Sequence, residues 1–183
     1  MRKIGSIHLA LTVWLLVTLS LSACSIFSTV NPVIGAVEDF KQHSQNKDYP
    51  WIAEQEISCD ASKEGCNQLH LIKGDAGFRL AKQAEGHQEA DGAQSYYECA
   101  VTHLETGIQQ TQQWQVGGLD LNRPQTYENL CEALRQWRDM EEDVNTTKRL
   151  RQKLLDTAQA FLTAEPRNLA AIYFLNSAQF SML

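Results

Sequence analysis

Strand-forming signals are nearly absent from this 183-residue sequence, which has no alternating Val/Ile/Thr runs and no Asn-Gly hairpin turns. That excludes a β-sandwich or barrel and leaves helical periodicity as the organising pattern. Phosphate-cradling glycine loops are missing too, and Gly117-Gly118 reads as a connector. Histidines are scattered as His43, His70, His87 and His103, with His8 inside the apolar N-terminal run. No H-x-x-x-H, no H-E-x-x-H and no Ser or Cys elbow arranges them for metal-assisted or nucleophilic catalysis. His70 and His103 fall on neighbouring helical segments and read as polar helix-face residues. Glu141-Glu142-Asp143 lacks the alternating ligands and glycine of a calcium loop and reads as a solvated helix end. No enzymatic activity, cofactor or metal is expected. Basic charge is also in short supply, with 16 Lys and Arg against 22 Asp and Glu and a net charge of −6. Nucleic acid is thereby excluded as a partner, and so is a polybasic attachment to lipid headgroups.

What the sequence does have begins at Met1-Arg2-Lys3, a short positive start followed by an apolar run from Ile4 to about Leu21. This is the layout of a secretory signal. The run approaches the roughly 20 residues of a membrane span, so an uncleaved helix is the alternative. Against it, no Lys or Arg follows as a stop-transfer flank, and the next charges are Glu38 and Asp39. Leu21-Ser22-Ala23-Cys24 resembles the lipobox of bacterial lipoproteins. The resemblance implies cleavage between Ala23 and Cys24 and a covalent lipid on Cys24, a diacylglyceryl thioether with a further acyl chain such as palmitate on the new N-terminus. At about 0.8 kcal/mol per buried methylene, two or more chains hold a protein stably on a membrane. Ser25, where an Asp would retain the protein at the inner membrane, implies an outer-membrane anchor with the domain facing the periplasm.

An exported chain meets an oxidising compartment, where an even number of thiols reads as disulfides. Apart from Cys24 there are four: Cys59, Cys66, Cys99 and Cys131. Local pairing joins Cys59 to Cys66 around a short polar loop, and Cys99 then pairs with Cys131 by elimination. Both of the latter lie in predicted helices, and neighbouring antiparallel helices offer the Cα spacing of about 5.5–6 Å that a bridge needs. The rival readings are free buried thiols and a four-cysteine metal site; the latter lacks the paired C-x₂₋₄-C spacing of structural zinc.

The expected fold is all-α, an antiparallel helical stack. Residues 1–23 are the signal, 24–50 a lipidated tether with a short helix at 33–43, and 51–183 a disulfide-stapled helical domain. Within it, apolar stripes predict helices over about 67–83, 93–114 and 125–142, another after the Asn145-Thr146-Thr147 cap, and a last one after Glu165-Pro166. The segment 84–92 reads as a long polar loop, and Trp51, Trp114 and Trp137 as core anchors. Phe161 to Leu175, with its acidic-Pro-x-Asn turn at Glu165-Pro166-Arg167-Asn168, resembles the boundary between tetratricopeptide (TPR) repeats. Ile172 and Leu175 stand at the family's large positions, and Asn176 where it prefers glycine. Ala100, Leu104 and Gly107 repeat the small–large–small spacing of a repeat's second helix. The resemblance implies a TPR-like stack, the alternative being an irregular helical bundle.

The last segment, Ile172-Tyr173-Phe174-Leu175 through Phe180, is apolar nearly all round. Such a helix is either threaded into its own bundle or covered by a partner. Ile172, Tyr173, Phe174, Leu175 and Phe180 are the candidate partner-binding residues, and the partner is another envelope protein or a second copy of the chain. Modules of the TPR-like kind serve as assembly, pilotin or accessory factors of envelope and secretion machines. The alternative function is a periplasmic small-ligand carrier or inhibitor with a pocket between its helices.

Overall fold

Short loops and long apolar stripes resolve into seven helices among the residues that the computed structural model describes, which are 32–60, 65–111 and 114–180. They are α1 (Pro32–Gln45), α2 (Tyr49–Glu54), α3 (Cys66–Gly86), α4 (Ala90–Gln110), α5 (Arg123–Met140), α6 (Val144–Ala164) and α7 (Leu169–Phe180). No strand occurs among the described residues, so the protein is all-α. Cys24 and the Ala23–Cys24 cleavage point lie outside the described residues. Within them, no helix is long and apolar enough to cross a membrane.

From α3 onward each helix packs against the next in sequence, and α3–α5 and α5–α7 also touch. Side-chain pairs give the directions. Gln94 near the start of α4 reaches Glu141 just past the end of α5, and Arg123 at the start of α5 pairs with Glu165 at the end of α6. Neighbours in the stack are therefore antiparallel. One core runs the length of the stack, through Tyr97, Val101, Leu104, Leu134, Leu154, Phe161 and Phe174. A second lies beneath α1 and α2, where Val37, Phe40, Tyr49 and Ile52 meet Leu69, Leu71 and Ile72 of α3, with Val116 and Leu121 from the α4–α5 connection. The short helix expected within the 24–50 tether is thus α1, and it is built into the core.

Helix ends follow local chemistry. Asn122 accepts a hydrogen bond from Gln125 N–H at 3.0 Å, and Pro124 suits a first turn that needs no N–H donor. The cap of α6 is Asp143, not the Asn145-Thr146-Thr147 run; its carboxylate accepts from Thr146 N–H at 2.7 Å. A carboxylate gains from the positive helix terminus where a neutral hydroxyl or amide gains less. Asn168 Oδ1 accepts from the N–H groups of Ala170 and Ala171 and starts α7. The expected long loop at 84–92 is instead a tight turn at His87-Gln88-Glu89, closed by Glu89 N–H donating to Ala84 O. Helix α4 stops at Gln110, short of the expected Trp114. Beyond it Trp114 stacks on Tyr127 with ring centroids 5.8 Å apart.

Candidate functional site

Helix α7 divides its apolar residues between two faces. Ala171, Phe174 and Ala178 are buried in the main core, and Leu175 is partly buried against it. On the opposite side Leu169, Ile172, Tyr173 and Phe180 remain 81%, 41%, 58% and 77% exposed. With Asn176 they fall at i, i+3, i+4, i+7 and i+11, which is one stripe of the helix. Of the five residues expected to bind a partner, Ile172, Tyr173 and Phe180 face outward, whereas Phe174 and Leu175 belong to the fold. One face of the segment is therefore threaded into the bundle, and the other is left exposed. An apolar stripe in that register has the geometry by which helices dock in grooves or against one another.

A second cluster lies where the start of α3 meets α4. Cys59 and Cys66 are joined by a disulfide with Cα atoms 5.9 Å apart. One turn into α3, His70 places Nδ1 2.8 Å from Nδ1 of His103 on α4. Burial lowers the pKa of both rings, and the Lys73 cation adds to it; His103 falls to about 4. Both imidazoles are therefore neutral at pH 7, one donating and the other accepting. Lys73 itself is buried and donates to the carbonyl oxygen of Gln55. The two histidines stand far apart in the chain, and only the helix register makes them neighbours.

The expected Cys99–Cys131 bridge does not form, and both are free thiols. Cys131 is fully buried in the main core. Cys99 is only partly buried and lies within electrostatic reach of Lys73 of α3. Burial raises the pKa of both thiols, which keeps them protonated.

Trp137 is buried in the main core as expected. Trp51 is half-buried, stacked on His43 at 3.7 Å between centroids, while His43 also meets Asp48 at 2.8 Å. Glu141 and Asp143 serve helix geometry, through the α6 cap and a hydrogen bond from Asp143 N–H to Glu141. A cleft of about 230 Å³ opens beside the cystine, lined by Val33, Phe40, Ile57 and Leu69 among others. It is smaller than the roughly 300–1,000 Å³ usual for small-ligand pockets. Set against known protein families, curated proteins and solved structures, the chain finds no match.

Proposed function

We propose that this chain is a lipid-anchored envelope protein whose helical stack, TPR-like in layout, docks a protein partner and carries out no catalysis. The reading places it at the outer membrane, facing the periplasm, as an assembly, pilotin or accessory factor of an envelope or secretion machine. The observation that carries it is the exposed stripe of Leu169, Ile172, Tyr173 and Phe180, since side chains of this size left in water on one helix face mark an interaction surface. The sequential antiparallel stacking of α3 to α7 supports a repeat-like scaffold, in which faces of successive helices are offered to ligands. The partner is another envelope protein or a second copy.

Two experiments test it. Cells fed labelled palmitate are expected to label the protein, and Cys24→Ala abolishes both the label and membrane retention. Persistent labelling of that variant refutes the anchor. Charge placed on the stripe by Ile172→Asp together with Tyr173→Asp is expected to weaken partner capture or self-association at least about tenfold, the loss of roughly 1.4 kcal/mol. Because both side chains point away from the core, the helical circular dichroism stays unchanged. Undiminished association of the folded double variant would show that α7 is not the docking face.

A further inference from the structure

The cystine that precedes α3 has histidine company. Cys59 Sγ, Cys66 Sγ and a ring nitrogen of His70 lie within 4.8 Å of one another. Cys66 is the first residue of α3 and His70 follows at i+4, so their side chains share one face of the helix. His103 Nδ1 sits 2.8 Å from His70 Nδ1. In the tautomer where His70 donates that hydrogen bond, its Nε2 keeps a free lone pair, which is the form a metal takes up. Lys73 is buried nearby on the same helix and makes no ion pair among the described residues. Thiolates at Cys59 and Cys66 would place negative charge on this flank, offsetting the repulsion between the Lys73 cation and a bound metal ion.

We propose that this cluster is a disulfide-gated site for a cation of the Zn²⁺ class, with Cys59, Cys66 and His70 as ligands and His103 positioning the His70 ring. Two sulfurs and one imidazole suit a borderline-soft ion and leave a fourth tetrahedral position open to water or an external ligand. In the oxidised protein the sulfurs are bonded to each other and carry no charge, so the site is shut. A dithiol reductant opens it by exchange. The reductant gives up two electrons and two protons, becomes a disulfide itself, and leaves thiols on Cys59 and Cys66. The cation then displaces those two protons into solvent and forms two metal–sulfur bonds and one metal–nitrogen bond. At bond lengths of about 2.3 Å to sulfur and 2.0–2.1 Å to nitrogen, the ligand atoms sit roughly 3.5–3.8 Å apart. Cys59 lies outside the helices, on the segment following α2, so the adjustment needed to open the two sulfurs to that spacing falls on this segment rather than on helical backbone.

The test uses the full chain, purified in detergent, reduced with an immobilised dithiol and titrated anaerobically with Co²⁺, then with Zn²⁺ in competition. The reduced protein is expected to bind one Co²⁺ per chain with thiolate-to-cobalt charge-transfer absorption, displaced by Zn²⁺; the oxidised protein shows no such band. His103→Gln is expected to weaken binding by about 10–100-fold while keeping the charge-transfer band, as loss of a supporting hydrogen bond does. His70→Ala weakens it further, and Cys99→Ser binds like the wild type. No charge-transfer band in the reduced wild type overturns the site, as does a Cys59→Ser variant that titrates like it. Circular dichroism on the same samples controls for unfolding, and binding seen only in a chain that has lost its helices overturns the proposal as well.

Discussion

Gly74→Ala is expected to lower the unfolding free energy by about 2–3 kcal/mol, although helix propensity alone favours the exchange by up to about 1 kcal/mol. The sign is decided by what lies across the α3–α4 seam. A Cβ at position 74 would stand 2.6 Å from Leu104 Cγ and 2.8 Å from the Leu104 backbone nitrogen. A side chain can rotate out of the way, but a backbone nitrogen inside a helix cannot. The same closeness recurs along the seam: a Cβ at Gly77 would meet Ala100 N at 3.1 Å, and one at Gly107 would meet Leu71 N at 3.1 Å and Leu71 Cδ2 at 2.5 Å. These partners descend on α4 as they ascend on α3, the mark of an antiparallel pair. Moving the helices apart to admit one methyl loosens contacts all along that pair. Gly35 is the internal control, for it lies in α1 with nothing within 4 Å of its would-be Cβ. Gly35→Ala is expected to stabilise by up to about 1 kcal/mol. Urea denaturation followed by circular dichroism separates the two. Equal gains from both substitutions would mean that α3 and α4 do not approach this closely.

The all-α class and the central parts of the long helices were legible, because stripes such as Leu130, Leu134 and Trp137 repeat with helical period and are buried as that period requires. What escaped depended on a neighbour or on a competition between caps. Helix α2 is six residues long and begins Tyr49-Pro50, too short for any period; its buried Ile52 shows what holds it. The turn at His87-Gln88-Glu89 was hidden because Gly86 and Gly92 suggest a loop, yet Gly92 lies inside α4. Glycines 74, 77 and 107 look like weak points of their helices until the opposite helix is seen to fill the space. For the candidate sites, composition marked α7 as a candidate for partner binding but not which face would be left exposed. A helix apolar all round carries no sign of its rotation, which only packing against α6 supplies. Pairing the cysteines by elimination failed for a related reason: that two helices touch does not say which way their side chains turn, and Cys99 and Cys131 are both free although their helices pack together. His70 and His103 share no local motif, so no spacing rule could have joined them.

Phe161→Ala is expected to cost about 3–5 kcal/mol and to loosen α7 before the rest of the chain. Phe161 is fully buried near the end of α6, and its ring lies parallel to Tyr127 of α5, 5.3 Å between centroids and 9° between planes. Tyr127 in turn stacks on Trp114, over which the Arg123 guanidinium lies at 6.0 Å. Three rings and a cation therefore tie the α4–α5 connection, the start of α5 and the end of α6 together. Removing the innermost ring leaves a cavity that stiff neighbouring helices cannot close, which adds to the lost transfer energy. The ion pair from Arg123 to Glu165, 2.6 Å long but partly exposed, is too weak to hold the junction alone, since such pairs contribute at most about 1 kcal/mol. Ala171, Phe174 and Ala178 of α7 belong to the same core as Phe161, so the element bearing the exposed stripe loses its support first. Phe161→Leu, closer in volume, is expected to cost only about 1–2 kcal/mol. Hydrogen exchange gives the spatial readout: in Phe161→Ala, amides of 171–178 lose protection, while those of α3 near Leu71 and Ile72, in the separate core under α1 and α2, keep theirs. Uniform loss of protection across both cores would mean that the α6–α7 junction is not a separately yielding part of the fold, and an unchanged urea midpoint would mean that Phe161 does not fill the core as described.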